Sequence, residues 1–291
     1  MAQTFCARTR HARRAGALQL RAGLLFLLGT LSMRAVGQVE LLTDSSAQTV
    51  FGGSPRLLVA RFRNPTDQPI EENLQFRLYQ ASASTLAPVA ELKPWKTLRL
   101  SSRQTVLESV SVDLPDVRGE TVFQLIWFSG GKKLGAIPVR AFPAELLKPL
   151  TTLAGDAPVG LLDPDGTWKP AFARVPTQEL KEAEDILATE TKLVVVAPVS
   201  ASNRPAGLAG AIKRKAGRGT AIVWIQSSAQ RAPDNLPDAY VVNESGGNVV
   251  VADPSTVNDL AHSPRSQQNL IRLAELATGH RKLDLPEDPP R

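Results

Sequence analysis

The side chains of this 291-residue sequence that could carry chemistry are few: one cysteine, three histidines, and serines and carboxylates at the ends of apolar runs. Ser227 and Ser228 follow the apolar run 221–225, with Asp253 and His262 later in the chain. That is the order nucleophile, acid, base found in serine hydrolases of α/β architecture, whose serine is held for attack by a G-x-S-x-G elbow. Here the turn reads Gln226-Ser227-Ser228-Ala229, without glycines. The sequence therefore predicts no catalytic set. Asp163-Pro-Asp-Gly166 places carboxylates at alternate positions before a glycine, as a calcium loop does, but the later ligands are missing and a plain turn is expected. No metal and no cofactor is predicted.

These residues are organised by the stretch 191–228. Residues 193–196 form a run of aliphatic residues without polar alternation, the mark of a strand buried on both faces. A polar loop leads into a helix with Leu208, Ala211 and Ile212 on one side and Lys213, Arg214 and Lys215 in its last turn, where cations favour the helix dipole. Gly217 and Gly219 end it, and 221–225 is a second buried strand. Two such strands joined by a helix run parallel. In open α/β sheets ligands bind beyond the carboxyl ends of the strands. The predicted ligand-binding residues are therefore Ser200, Ser202, Asn203 and Arg204 after the first strand and Gln226, Ser227 and Ser228 after the second. The competing reading of the first loop is helix capping and solvation.

Residues 1–37 read as a secretory signal: a basic leader, an apolar core at 22–33 and small residues Ala35-Val36-Gly37 at the cleavage site. The core is shorter than the roughly twenty residues a membrane span needs, so no stable span is expected after cleavage near Gly37. The signal holds six arginines (8, 10, 13, 14, 21 and 34) and no acid, leaving 34 − 6 = 28 basic against 28 acidic residues. The excess positive charge of +6 thus belongs to targeting, and nucleic acid is excluded as a partner. The one cysteine, Cys6, lies in the signal, so the mature chain has no thiol chemistry and no disulfide. The protein is expected to be secreted or periplasmic.

Residues 38–143 alternate and turn at short intervals. On residues 56–62, Leu57, Val59 and Arg61 face one way and Leu58, Ala60 and Phe62 the other. Seven or eight such strands suggest an all-β sandwich, in architecture similar to the immunoglobulin-like or fibronectin type III-like modules. Trp95 and Trp127 read as its aromatic core and rim, the other reading being sugar-stacking platforms. A linker at 144–157 leads to an α/β domain at 158–280, in which residues 177–189 are predicted as one amphipathic helix. Residues 281–291, rich in proline and charge, are predicted to be a disordered tail.

In the second domain, ELKEAEDILATETKLVVV from Glu179, the later GRGTAIVWIQ and the late NVVVADPSTVNDLAHSP resemble the class I glutamine amidotransferase-like domain. The resemblance implies a flavodoxin-like, mostly parallel sheet. It also implies a cysteine in a glycine-flanked elbow after the strand 221–225, and a histidine and glutamate after the late strand. This chain has Gln226-Ser227-Ser228 and Asp253-Pro254-Ser255 there, so the resemblance implies a catalytically silent relative. The expected architecture is an immunoglobulin-like sandwich followed by a flavodoxin-like α/β domain. The expected function is that of an exported, non-catalytic binding or scaffold protein with a protein partner in the cell envelope. The alternative is a secreted serine hydrolase or carbohydrate-binding protein.

Overall fold

The computed structural model describes residues 39–44, 46–226, 239–243 and 246–280, all within the compact unit Gly37–Arg291. The predicted signal, Ser227, Ser228 and the predicted tail at 281–291 lie outside the described residues.

The first region holds nine strands: β1 (Glu40–Leu42), β2 (Gln48–Phe51), β3 (Pro55–Arg63), β4 (Ile70–Ala81), β5 (Leu86–Pro88), β6 (Lys93–Leu100), β7 (Thr105–Asp113), β8 (Thr121–Ser129) and β9 (Lys132–Phe142). β1, β3 and β7 make a three-stranded antiparallel sheet. β2, β9, β8, β4 and β5 make the other, to which β6 is added on β4. The alternation at β3 sorts as expected, with Leu58, Ala60 and Phe62 buried and Leu57 and Val59 exposed. The expected immunoglobulin-like sandwich is not what forms. β2 runs parallel to β9, giving a mixed sheet in place of a purely antiparallel one. Period-two alternation tells which face of a strand is buried but not which neighbour it pairs with. β2 leaves the antiparallel course of the chain, and Gln48 compensates: its side-chain amide donates to the Val59 carbonyl at 2.6 Å and accepts from the Val59 N–H at 2.9 Å. One amide group thus does for β3 what a neighbouring strand would do.

Trp127 is fully buried at the centre of this region, edge-on to Phe62 and Trp95 at 5.0 Å each. Trp127 is a core residue, while Trp95 is half-buried at the rim against it, with Lys96 over its ring at 4.6 Å. Full burial removes Trp127 from the sugar-platform reading.

The second region begins with α1 (Pro149–Leu153) and builds one six-stranded sheet from β10 (Val159–Leu162), β11 (Thr177–Leu180), β12 (Leu193–Val196), β13 (Ala221–Ile225), β14 (Ala239–Asn243) and β15 (Asn248–Ala252), in the order β11-β10-β12-β13-β15-β14. Four ladders are parallel and β14·β15 is antiparallel. The expected flavodoxin-like sheet is corrected accordingly: the sheet is mixed and ends on a hairpin. The link from Asn243 to Asn248 is too short for the crossover a parallel pair requires.

Its central strands are buried on both faces. Leu193 and Val195 join a core with α1, α2 (Lys169–Phe172) and α5 (Pro264–Ala277), while Val194 and Val196 join another with α3 (Ala183–Ala188) and α4 (Leu208–Ala216). The single helix expected at 177–189 is strand β11 followed by α3. Glu182 and Asp185 form a capping box that starts the helix only at Ala183, Asp185 accepting from the Lys181 and Glu182 amides at 2.8 and 3.0 Å. Leu180, freed from the helix, is buried in the edge strand. Lys215, one of the three cations of the last turn of α4, is buried. Its ammonium donates to the Thr189 carbonyl, and burial holds its pKa below the ordinary lysine value.

Candidate functional site at the carboxyl ends of the strands

The strand order reverses at β10. The chain steps outward from it to β11, then crosses back to β12 on its other side. In an open α/β sheet the loops after two such strands part and leave a crevice beyond their carboxyl ends. Here those loops are 163–168 and 197–207.

Each loop is shaped by a carboxylate. Asp163 is buried and accepts from the amides of Thr167 at 3.2 Å, Trp168 at 2.8 Å and Lys169 at 3.1 Å. It binds helix-start amides, which settles the motif as a turn with a cap. Asp165 is half-buried and ties its loop to the one after β12. It accepts from the Ser200 amide at 3.0 Å, the Ser200 hydroxyl at 3.2 Å and the Asn203 side-chain amide at 2.5 Å. The Asn203 amide, and after it the Ser200 N–H, hold the Asp165 carboxyl below its ordinary pKa. The Ser202 hydroxyl lies 3.3 Å from that of Ser200. Arg204 extends over the indole of Trp224 on β13, at 5.7 Å from the ring.

The predicted residues thus separate into groups. Ser200, Ser202 and Asn203 come together around Asp165. Arg204 belongs to the next strand over, through Trp224. Half-buried Gln226 follows β13, its backbone amide tied to the Ala252 carbonyl at 3.0 Å. Asp165 and Trp224 were missed. The signal for Asp165 was present in the same Asp-Pro-Asp-Gly run, since the two carboxylates point to different tasks. Of the hydrolase-like candidates, Asp253 caps the following 3-10 turn through the Ser255 amide at 2.9 Å, and exposed His262 meets Asp259 at 2.7 Å. Among the described residues no group of three metal-ligating side chains converges, and no helix is long and apolar enough to cross a membrane.

The chemistry on offer at the crevice is a fixed anion, two hydroxyls, a carboxamide and a guanidinium. The class defined by fold and site is an α/β protein with a mixed sheet and two polar loops joined at the strand-order reversal, preceded by a two-sheet β region. No protein-family model matches the chain, and no curated protein does. Among solved structures it is similar over 36% of its length to a β-glucosidase from Listeria innocua, at 18% identity and a TM-score of 0.28. It is similar over 35% to the alkylpurine DNA glycosylase AlkC of Pseudomonas fluorescens, at 15% identity and a TM-score of 0.27. The chain covers 16% and 30% of those two proteins. Likeness at this level carries no argument about fold or activity.

Proposed function

We propose that the protein is an exported binding protein of the cell envelope, and that it recognises its partner at the crevice between the loops after β10 and β12. One observation carries the reading. The crevice's carboxylate is fully committed to holding its own loops, through three donors from Ser200 and Asn203. A carboxylate bound in this way is stabilised as an anion, which suits a fixed acceptor and not a proton shuttle near neutral pH. The hydroxyl of Ser202 and the guanidinium of Arg204 remain at the rim for a polar partner. A carbohydrate-stacking role for Trp224 is disfavoured, because Arg204 already lies over its ring.

The test is capture from an envelope extract by immobilised mature protein and by its Ser202→Ala/Arg204→Ala variant, each first checked for its melting temperature. Loss of a captured species without loss of stability supports the reading. Unchanged capture contradicts the assignment to the crevice, and turnover of ester or glycoside substrates by the purified protein contradicts the non-catalytic part.

A further inference from the structure

Sheet edges expose unpaired N–H and C=O groups, and proteins blunt them with short edge strands, proline, lysine or bulges. This chain does so at most of its edges. β1 and β5 have three residues each, β2 and β11 four, and β6 carries Pro94, two lysines and a shift of register against β4. β7 is different. It ends the order β1-β3-β7, runs for nine residues without proline, and pairs with β3 without a break in register. The direction of its free groups follows from Gln48. The Val59 N–H and C=O are both taken by that side chain, on the side of β3 away from β7. Directly opposed residues of an antiparallel pair exchange both backbone bonds or neither. Ser109, opposite Val59, therefore turns its N–H and C=O outward, as do Leu107 and Ser111 two residues to either side. Among the described residues none of these groups has a partner.

We propose that β7 pairs with the β7 of a second copy of this chain, antiparallel about a two-fold axis at Ser109. In this register all nine residues of the strand find a partner, 105 opposite 113 and 107 opposite 111. The pairing is self-complementary. Leu57 and Leu107 stand exposed on the solvent face of the sheet. The second copy's Leu107 enters the row of Leu57, with only the small Ser111 between them. The acids of the strand are neutralised in advance: Lys96 holds Glu108 at 2.6 Å and Lys93 holds Asp113 at 2.7 Å. A strand edge with one row of side chains is a small interface, so assembly is expected at roughly ten micromolar and above. None of these residues belongs to the crevice, so this inference stands or falls independently of the function proposed above.

Sedimentation equilibrium of residues 37–291, the compact unit, tests it. A concentration-dependent dimer is expected. Ser109→Pro removes one outward N–H per copy and leaves the bonds to β3 in place, so it should weaken the dimer about thirtyfold, the scale of two ordinary hydrogen bonds. Leu107→Lys, at an exposed site, should weaken it about tenfold, which covers the case of a proline variant that fails to fold. The compact unit contains no cysteine. Oxidation of the Ser109→Cys variant should therefore give a disulfide-linked dimer, because the substituted positions face each other on the axis with Cα atoms about 5.5 Å apart. Thr105→Cys should give none, its two positions lying about 27 Å apart along the strands. A chain that stays monomeric up to about 1 mM overturns the proposal. So does a dimer indifferent to both Ser109→Pro and Leu107→Lys, or one that Thr105→Cys crosslinks as readily as Ser109→Cys.

Discussion

The two regions of this molecule bury their cores in different ways. Strands β3, β4 and β7 alternate between one buried face and one face in water, around a single cluster centred on Trp127. Strands β10, β12 and β15 are buried on both faces, between α1, α2 and α5 on one side and α3 and α4 on the other. The first arrangement leaves sheet surface exposed. In the second, the central strands leave only their ends open to solvent, which is where the polar loops gather. The difference teaches where to look for recognition: on a face in the first region, at an edge in the second.

The contrast breaks most sharply in the cores. Trp127→Ala removes the largest fully buried side chain of the first region and should cost about 3–5 kcal/mol, while Leu150→Ala in the second should cost about 2–5 kcal/mol. Because the two residues belong to separate clusters, the double variant should be additive within about 0.5 kcal/mol in denaturant unfolding. A larger coupling would mean that the regions share a core after all. Next in size, Asp163→Ala strands three helix-start amides and should cost about 1–3 kcal/mol, read the same way.

How much of this was legible in the sequence follows the same division. The uninterrupted run Leu193–Val196 and the helix after it announced their burial directly, because no alternation is needed when both faces are covered. Strand direction was not legible. Gln48 gives no local sign that its amide will serve Val59, and the parallel pairing of β2 with β9 joins residues about ninety positions apart. The break between β11 and α3 was legible in principle, since Glu182 and Asp185 spell a helix start, but the helical spacing of Leu180, Ala183 and Ile186 masked it. At the crevice, the Ser200–Arg204 loop was marked by its polarity. Asp165 stood in view in the Asp-Pro-Asp-Gly run, but its contact with that loop was hidden, because pairing of two loops depends on the strand order.

A smaller effect sharpens the edge side of the comparison. Asp165 has a folded-state pKa below its unfolded value, so its contribution is present above the ordinary carboxylate pKa of about 3.9 and is lost as pH falls through the lower folded value. Amide exchange at Ser200 should therefore accelerate only at the acid end of that window, and Asp165→Asn should remove the pH dependence. The smallest effect belongs to the face side. Leu57 and Leu107 are 72% and 65% exposed on the outer face of the three-stranded sheet, so Leu57→Ser/Leu107→Ser should leave stability within about 0.5 kcal/mol. Leu58→Ser, one residue away and fully buried, should be severely destabilising in the same assay.

The central claim, recognition at the carboxyl-end crevice, is tested most directly by site-specific photocrosslinking in the host envelope. A photoreactive residue at Ser202 is compared with one at exposed Lys192, which precedes the amino end of the same strand β12. The account predicts a discrete crosslinked partner from position 202, diminished by Arg204→Ala, and none from position 192. Adducts from position 192 alone, or equally from both, would contradict it.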